Sequence, residues 1–109
     1  MSTPEGKVKR EVEKLFARCS KDLNMPVHYF MPVQTGYGKR DLDYNCTVNG
    51  FALRIETKAP GEWLTGPQRL IAKAVFEAGG AVFIVSSEDG LSALSRWIWK
   101  ACAASNPLR

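Results

Sequence analysis

The sequence predicts a single α/β domain, a mixed sheet flanked by helices in the order α-β-β-β-α-β-α, and three observations carry that expectation. Asn49-Gly50 stands between two β-prone runs, residues 43–48 and 51–58, and this dipeptide is the strongest short-range signal for a hairpin with a two-residue turn. A helical segment separates the hairpin from the apolar run 81–86 (AVFIVS), so a right-handed crossover can lay that run parallel to the second hairpin strand. The chain has 109 residues, of which 45% are hydrophobic, enough for one core spanning residues 1–109 without staples.

The elements follow in order. Thr3 suits a helix N-cap, Pro4 the first helical position and Glu5 the positive end of the dipole. Val8, Val12, Leu15, Phe16, Cys19 and Leu23 recur at helical spacing until Asn24-Met25-Pro26 ends the helix. Residues 27–33 read as a short strand, with Pro32 marking an edge or a strand end. Residues 34–40 (QTGYGKR) form a loop in which two glycines bracket Tyr37, followed by Lys39-Arg40. In the hairpin, a two-residue turn pairs Val48 with Phe51 and sets Asp43 directly opposite Glu56. Phe51, Leu53, Ile55 and Thr57 then face a core, and Ala52, Arg54, Glu56 and Lys58 share the other face. After a loop bearing Trp63, Thr65 and Gln68 form a capping box with Pro67 in the first turn. This second helix is expected to turn Leu70, Ile71, Ala74, Val75 and Ala78 inward and to end at Gly79-Gly80. The near-continuous apolar run 81–86 predicts a buried central strand. A last helix follows Asp89-Gly90, carrying Leu91, Leu94, Trp97, Ile98, Ala101 and Cys102. Trp97 and Trp99 lie two positions apart on it, so one of them is exposed and available for a dimer contact. The tail 105–109 is expected to be loose.

Composition narrows the function. Fifteen basic residues against 11 acidic give a charge of +4, a weak preference for a polyanionic partner. The three cysteines make no CxxC and no zinc pattern with the single histidine, His28, so a histidine-based nuclease site or a Ser-His-Asp triad has little support. No apolar run is long enough for a membrane span and no signal-peptide pattern opens the chain, so a reduced, cytoplasmic protein without membrane contact is expected.

The chemistry concentrates in one constellation: Asp43, twelve residues, Glu56-Thr57-Lys58, nine residues, Gln68. Two carboxylates directly opposite each other destabilise a sheet, and a bound cation is the simplest reason to keep them. A hard divalent ion, Mg²⁺ or Mn²⁺, takes oxygen ligands, which Asp43, Glu56 and the Thr57 carbonyl can supply. Lys58, one pleat beyond Glu56, can orient a water or stabilise negative charge developing on a phosphate. Together these groups describe metal-assisted phosphodiester hydrolysis. Asp41 shares the side-chain parity of Asp43 and falls opposite Lys58, so it is an alternative ligand or a partner that ties up Lys58; the register favours Asp43.

This arrangement resembles the PD-(D/E)XK nuclease superfamily, and within it the small stand-alone virus-type replication-repair nucleases (VRR-NUC). The similarity runs through TPEGKVK (3–9), YFMPV (29–33), GYG (36–38), LDYNCTVNG (42–50), IETKAPG (55–61), the segment 65–68 and AGGAVFIV (78–85). The resemblance implies a restriction-endonuclease-like core, metal binding by Asp43 and Glu56, and catalytic roles for Lys58 and Gln68. Glu5 matches an early helical glutamate near the metal in related junction resolvases. Leu42 departs from the pattern, since the family usually has proline before the aspartate. The implied activity is that of a phage-type, structure-selective DNA endonuclease acting on branched, flapped or Holliday-junction DNA as a homodimer inside an infected bacterial host. Lys39, Arg40, Tyr37 and Arg54 are the candidates for contacts to the DNA. The alternative is a catalytically inactive nuclease-fold protein that binds DNA or another protein.

Overall fold

In the computed structural model, which describes residues 3–33 and 40–105, the first helix, α1, spans Pro4–Leu23. The Thr3 hydroxyl caps it by accepting from the Gly6 N–H at 2.9 Å, and Asn24 stops it in the left-handed conformation. Strand β1 is only His28–Phe30, ending before Pro32, which cannot donate to a ladder. The hairpin strands β2 (Tyr44–Val48) and β3 (Phe51–Thr57) are antiparallel, and Val48 pairs with Phe51 as the turn dictates. Asn49 and Gly50 both take positive φ (47° and 85°), the combination that twists a two-residue turn with its strands. The Asn49 amide also donates to the carbonyls of Ala101 and Ala104 at 2.9 Å each, fastening the hairpin tip to the end of the last helix.

Helix α2 (Gly66–Glu77) crosses over to β4 (Ala81–Val85), which lies parallel to β3, and α3 (Glu88–Ala103) closes the fold. Gly80 allows the tight exit from α2, since a Cβ there would meet Val75 Cγ1 at 2.8 Å and the Val75 carbonyl at 3.2 Å. The sheet order is β1-β2-β3-β4. One face carries Tyr44, Cys46, Val48, Leu53, Ile55 and Val85 against Val12, Leu15 and Phe16 of α1 and Leu94 and Ile98 of α3, all buried. Burying each such large side chain contributes about 1.5–3 kcal/mol. The opposite face carries Arg54 and Glu56 and receives α2.

Three expectations change. Phe51 was expected on the core face, but beside the hairpin turn it is 39% exposed and meets the edge of Trp97 instead of the buried cluster. The apolar run 81–86 was expected to be a central strand, but β4 is an edge strand and only Val85 is fully buried. A strand covered by a helix on each face reads as continuously apolar whether or not it has two neighbours, and β4 has α2 on one side and α3 on the other. Helix α2 buries no residue completely, and Leu70 and Phe76 are 71% and 72% exposed. Its apolar residues are too many for the short, charged strip of sheet beneath it, so Ile71 and Val75 face inward while Leu70, Ala74 and Ala78 do not. On α3, Trp97 packs edge-on to Phe51 and Phe83, and Trp99 is the exposed member of the pair.

Candidate active site

The observed register, Tyr44 with Ile55, carries Asp43 to the position opposite Glu56. Alternating charge on a strand is most often a solvated face, but here Glu56 is 3% and Lys58 8% exposed. Ionised side chains are rarely buried so deeply without partners, and these have them. Glu56 Oε1 accepts the Asp43 N–H at 3.1 Å, and Oε2 accepts Gln68 Nε2 at 2.8 Å. Lys58 Nζ stands 3.6 Å from that same Oε2. Asp43 is held through Oδ2, which accepts from the Thr57 N–H at 2.9 Å and the Thr57 hydroxyl at 2.6 Å. Thr57 is fully buried, so the central residue of the Glu-Thr-Lys run orients the aspartate.

Gln68 serves two ends. Its Oε1 accepts the Thr65 N–H at 2.9 Å and completes the capping box, which leaves its amide nitrogen to face Glu56. The N-terminus of α2 is thereby fastened to the acidic pair.

Burial pushes the Glu56 carboxyl up from 4.5 to about 7, with the neighbouring Asp43 charge as the second cause and Glu5 adding a smaller push. The Asp43 N–H and Lys58 act against that rise without cancelling it. Perturbed carboxylates of this kind concentrate at functional sites. Asp43, Glu56 and Gln68 line a cleft of about 270 Å³ together with Arg40, Asp41 and Ile71.

Glu5 is near the cluster, its carboxylate 3.6 Å from Lys9 Nζ, which lies 3.8 Å from Asp43 Oδ1. Asp41 does not meet Lys58: its two oxygens take Arg54 Nε at 3.2 and 3.3 Å, and Oδ1 also caps the Leu42 N–H at 2.7 Å. Arg54, expected among the DNA contacts, is thus an ion-pair partner of Asp41. Arg40 is exposed at the rim of the cleft. Tyr37 and Lys39 lie outside the described residues.

Two side chains belong to the site's framework and were not singled out in the sequence. Lys9 is one; its signal was the Glu5-to-Lys9 spacing of one helical turn. Glu13 is the other; it accepts the Tyr44 hydroxyl at 2.9 Å and the Tyr29 hydroxyl at 3.4 Å, tying α1 across β2 and β1. Its signal was an acid directly after Val12 of the apolar stripe of α1.

Among the described residues no three or more His, Cys, Asp or Glu side chains form a metal cage. The donor set is nevertheless of the kind magnesium uses, one or two carboxylates with the remaining positions left to water and substrate oxygens. The all-oxygen chemistry and the accumulated negative charge of Glu5, Asp43 and Glu56 fit a hard divalent ion. No helix among the described residues is long and apolar enough to cross a membrane. No family model matches the chain, and no curated protein is significantly similar to it.

Proposed function

We propose that this protein is a metal-dependent DNA endonuclease that hydrolyses phosphodiester bonds. The supporting observation is the pair of opposed carboxylates, half-buried Asp43 and buried Glu56, that line an open cleft, with the buried Lys58 ammonium 3.6 Å from Glu56 Oε2. Asp43, Glu56 and the Thr57 carbonyl would hold Mg²⁺ or Mn²⁺, the remaining positions being left to water and substrate oxygens. Such an ion polarises a phosphoryl oxygen and lowers the pKa of a bound water. Glu56 must be ionised to take part, and its raised pKa makes that a matter of pH. Lys58 supplies positive charge for the phosphorane-like transition state. Gln68 fixes the Glu56 carboxylate, and Thr57 fixes Asp43. Arg40 at the rim meets the DNA backbone, as do Lys39 and Tyr37 in this reading.

The resemblance to VRR-NUC nucleases favours branched or flapped DNA as substrate and an intracellular site of action. The exposed apolar side chains of Phe30 and Leu70, which line one groove, favour a homodimer, which a chain of 109 residues needs to embrace a junction. The test is a cleavage panel of linear, flapped and four-way DNA in Mg²⁺ and Mn²⁺. Cutting is expected with wild type and is expected to vanish in Glu56→Ala; equal cutting by both refutes the assignment.

One observation favours a second reading, a nuclease fold retained as a binding module. Both Glu56 oxygens and one Asp43 oxygen are already engaged by protein donors. That reading predicts DNA binding with neither cleavage nor a response to Mn²⁺.

A further inference from the structure

Resting on the metal-site reading above, we infer that Lys9 is a built-in counter-cation of the acidic cluster, which an incoming divalent ion displaces, so that Lys9 sets the affinity of the site for that ion. The ammonium lies between two carboxylates from different elements, 3.6 Å from Glu5 Oε2 on its own helix and 3.8 Å from Asp43 Oδ1 at the start of β2. The oxygen it faces is the significant one. Asp43 Oδ2 is committed to the Thr57 N–H and hydroxyl, so Oδ1 is the oxygen through which Asp43 would meet a metal. The ammonium and the metal therefore compete for the charge of one oxygen.

Lys9 is also not an ordinary surface pair. Its side chain is 28% and that of Asp43 19% exposed, so the charges are screened less than those of the solvated pair Lys14–Glu11. Two other cations near the cluster are engaged elsewhere, Lys58 on Glu56 Oε2 and Arg54 on Asp41, while Arg40 stands exposed at the rim of the cleft. Charge balance gives the same result. Glu5, Asp43 and Glu56 face Lys9 and Lys58, so the cluster holds three negative charges against two positive when Glu56 is ionised. A divalent ion added with Lys9 in place makes the cluster positive; with Lys9 displaced, the ion and Lys58 neutralise it. The displaced side chain, long and flexible, is then free to turn outward to a phosphate.

The test titrates the full chain calorimetrically with Mn²⁺ alone, comparing wild type with Lys9→Met, which keeps the stem and a helix-favouring residue, and with Lys9→Gln as a second neutral variant. Loss of the competing charge is expected to tighten Mn²⁺ binding about tenfold, roughly 1.4 kcal/mol, in both. Lys9→Arg is expected to stay within about twofold of wild type because it keeps the charge. Thermal unfolding supplies a readout that a merely structural role would not move. The neutral variants lose stability without metal yet gain a larger Mn²⁺-induced rise in Tm than wild type. Equal or weaker Mn²⁺ binding in Lys9→Met and Lys9→Gln overturns the inference while leaving the metal site intact. Absence of Mn²⁺ binding in wild type and variants alike overturns the metal site and the inference together; binding in the variants alone supports both.

Discussion

Replacing Glu56 with Gln isolates the electrostatic cost of the site. In the metal-free protein the Glu56 carboxyl rises from 4.5 to about 7, chiefly because it is buried and secondarily because Asp43 stands beside it. A rise of that size is worth about 3 kcal/mol. The folded protein holds this proton more tightly than the unfolded chain does. The contribution to stability is therefore fully present below about pH 4.5 and is lost as pH rises through about 7. At pH 8 the wild type carries the full penalty of an ionised, buried carboxylate. Gln cannot ionise, and its carbonyl can still accept the Asp43 N–H that Glu56 Oε1 accepts at 3.1 Å. Its amide nitrogen, however, faces Gln68 Nε2, a donor locked in place by the Thr65 N–H on the other end of Gln68. That mismatch costs about 1 kcal/mol. Urea unfolding in EDTA, followed by tryptophan fluorescence, should find Glu56→Gln more stable than wild type by about 2 kcal/mol at pH 8 and less stable by about 1 kcal/mol near pH 4.5. A difference that does not change with pH, or a variant less stable at pH 8, would mean that burial does not hold the Glu56 proton.

Other outcomes follow from the same geometry. Lys58→Ala should lower the cleavage rate about 10²–10³-fold, the range for losing one transition-state charge donor, while calorimetry still detects Mn²⁺ binding; cleavage at the wild-type rate would remove Lys58 from the chemistry. Mn²⁺ affinity should rise with pH up to about 7, with proton release in the more acidic range, because the metal needs Glu56 ionised; buffer-dependent calorimetry at two pH values measures this, and a flat profile contradicts it. Gln68→Ala should cost about 1 kcal/mol in urea unfolding by removing half of the capping box, and should also weaken Mn²⁺ binding by freeing Glu56 to rotate. Lost stability with unchanged Mn²⁺ affinity would make Gln68 a cap only.

Much of the site was legible in the sequence because one short signal fixes it. Asn49-Gly50 permits only a tight turn, the turn sets the register, and the register alone brings Asp43 opposite Glu56. The capping box at Thr65 was equally legible, since both partners lie within one helical turn. Features that depend on what lies across the molecule were not. The apolar run of β4 could not distinguish an edge strand from a central one, because periodicity reports covered faces and not neighbours. The pattern of α2 is that of a packed helix, yet Leu70 and Phe76 point outward over a strip of sheet too narrow to take them. Asp41 had the parity to reach Lys58, but Arg54 on the same sheet face captured its carboxylate first. Lys9 escaped notice because its second partner, Asp43, is brought to it only by the packing of α1 against the sheet.

The proposed function requires Asp43 and Glu56 to converge on one divalent ion. Crystals soaked in Mn²⁺ and measured at a wavelength where manganese scatters anomalously test it most directly. An anomalous peak is expected within bonding distance of Asp43 Oδ1 and a Glu56 carboxylate oxygen, absent from crystals of Asp43→Asn. A peak seated on other side chains, or none in crystals that retain both carboxylates in place, would contradict it.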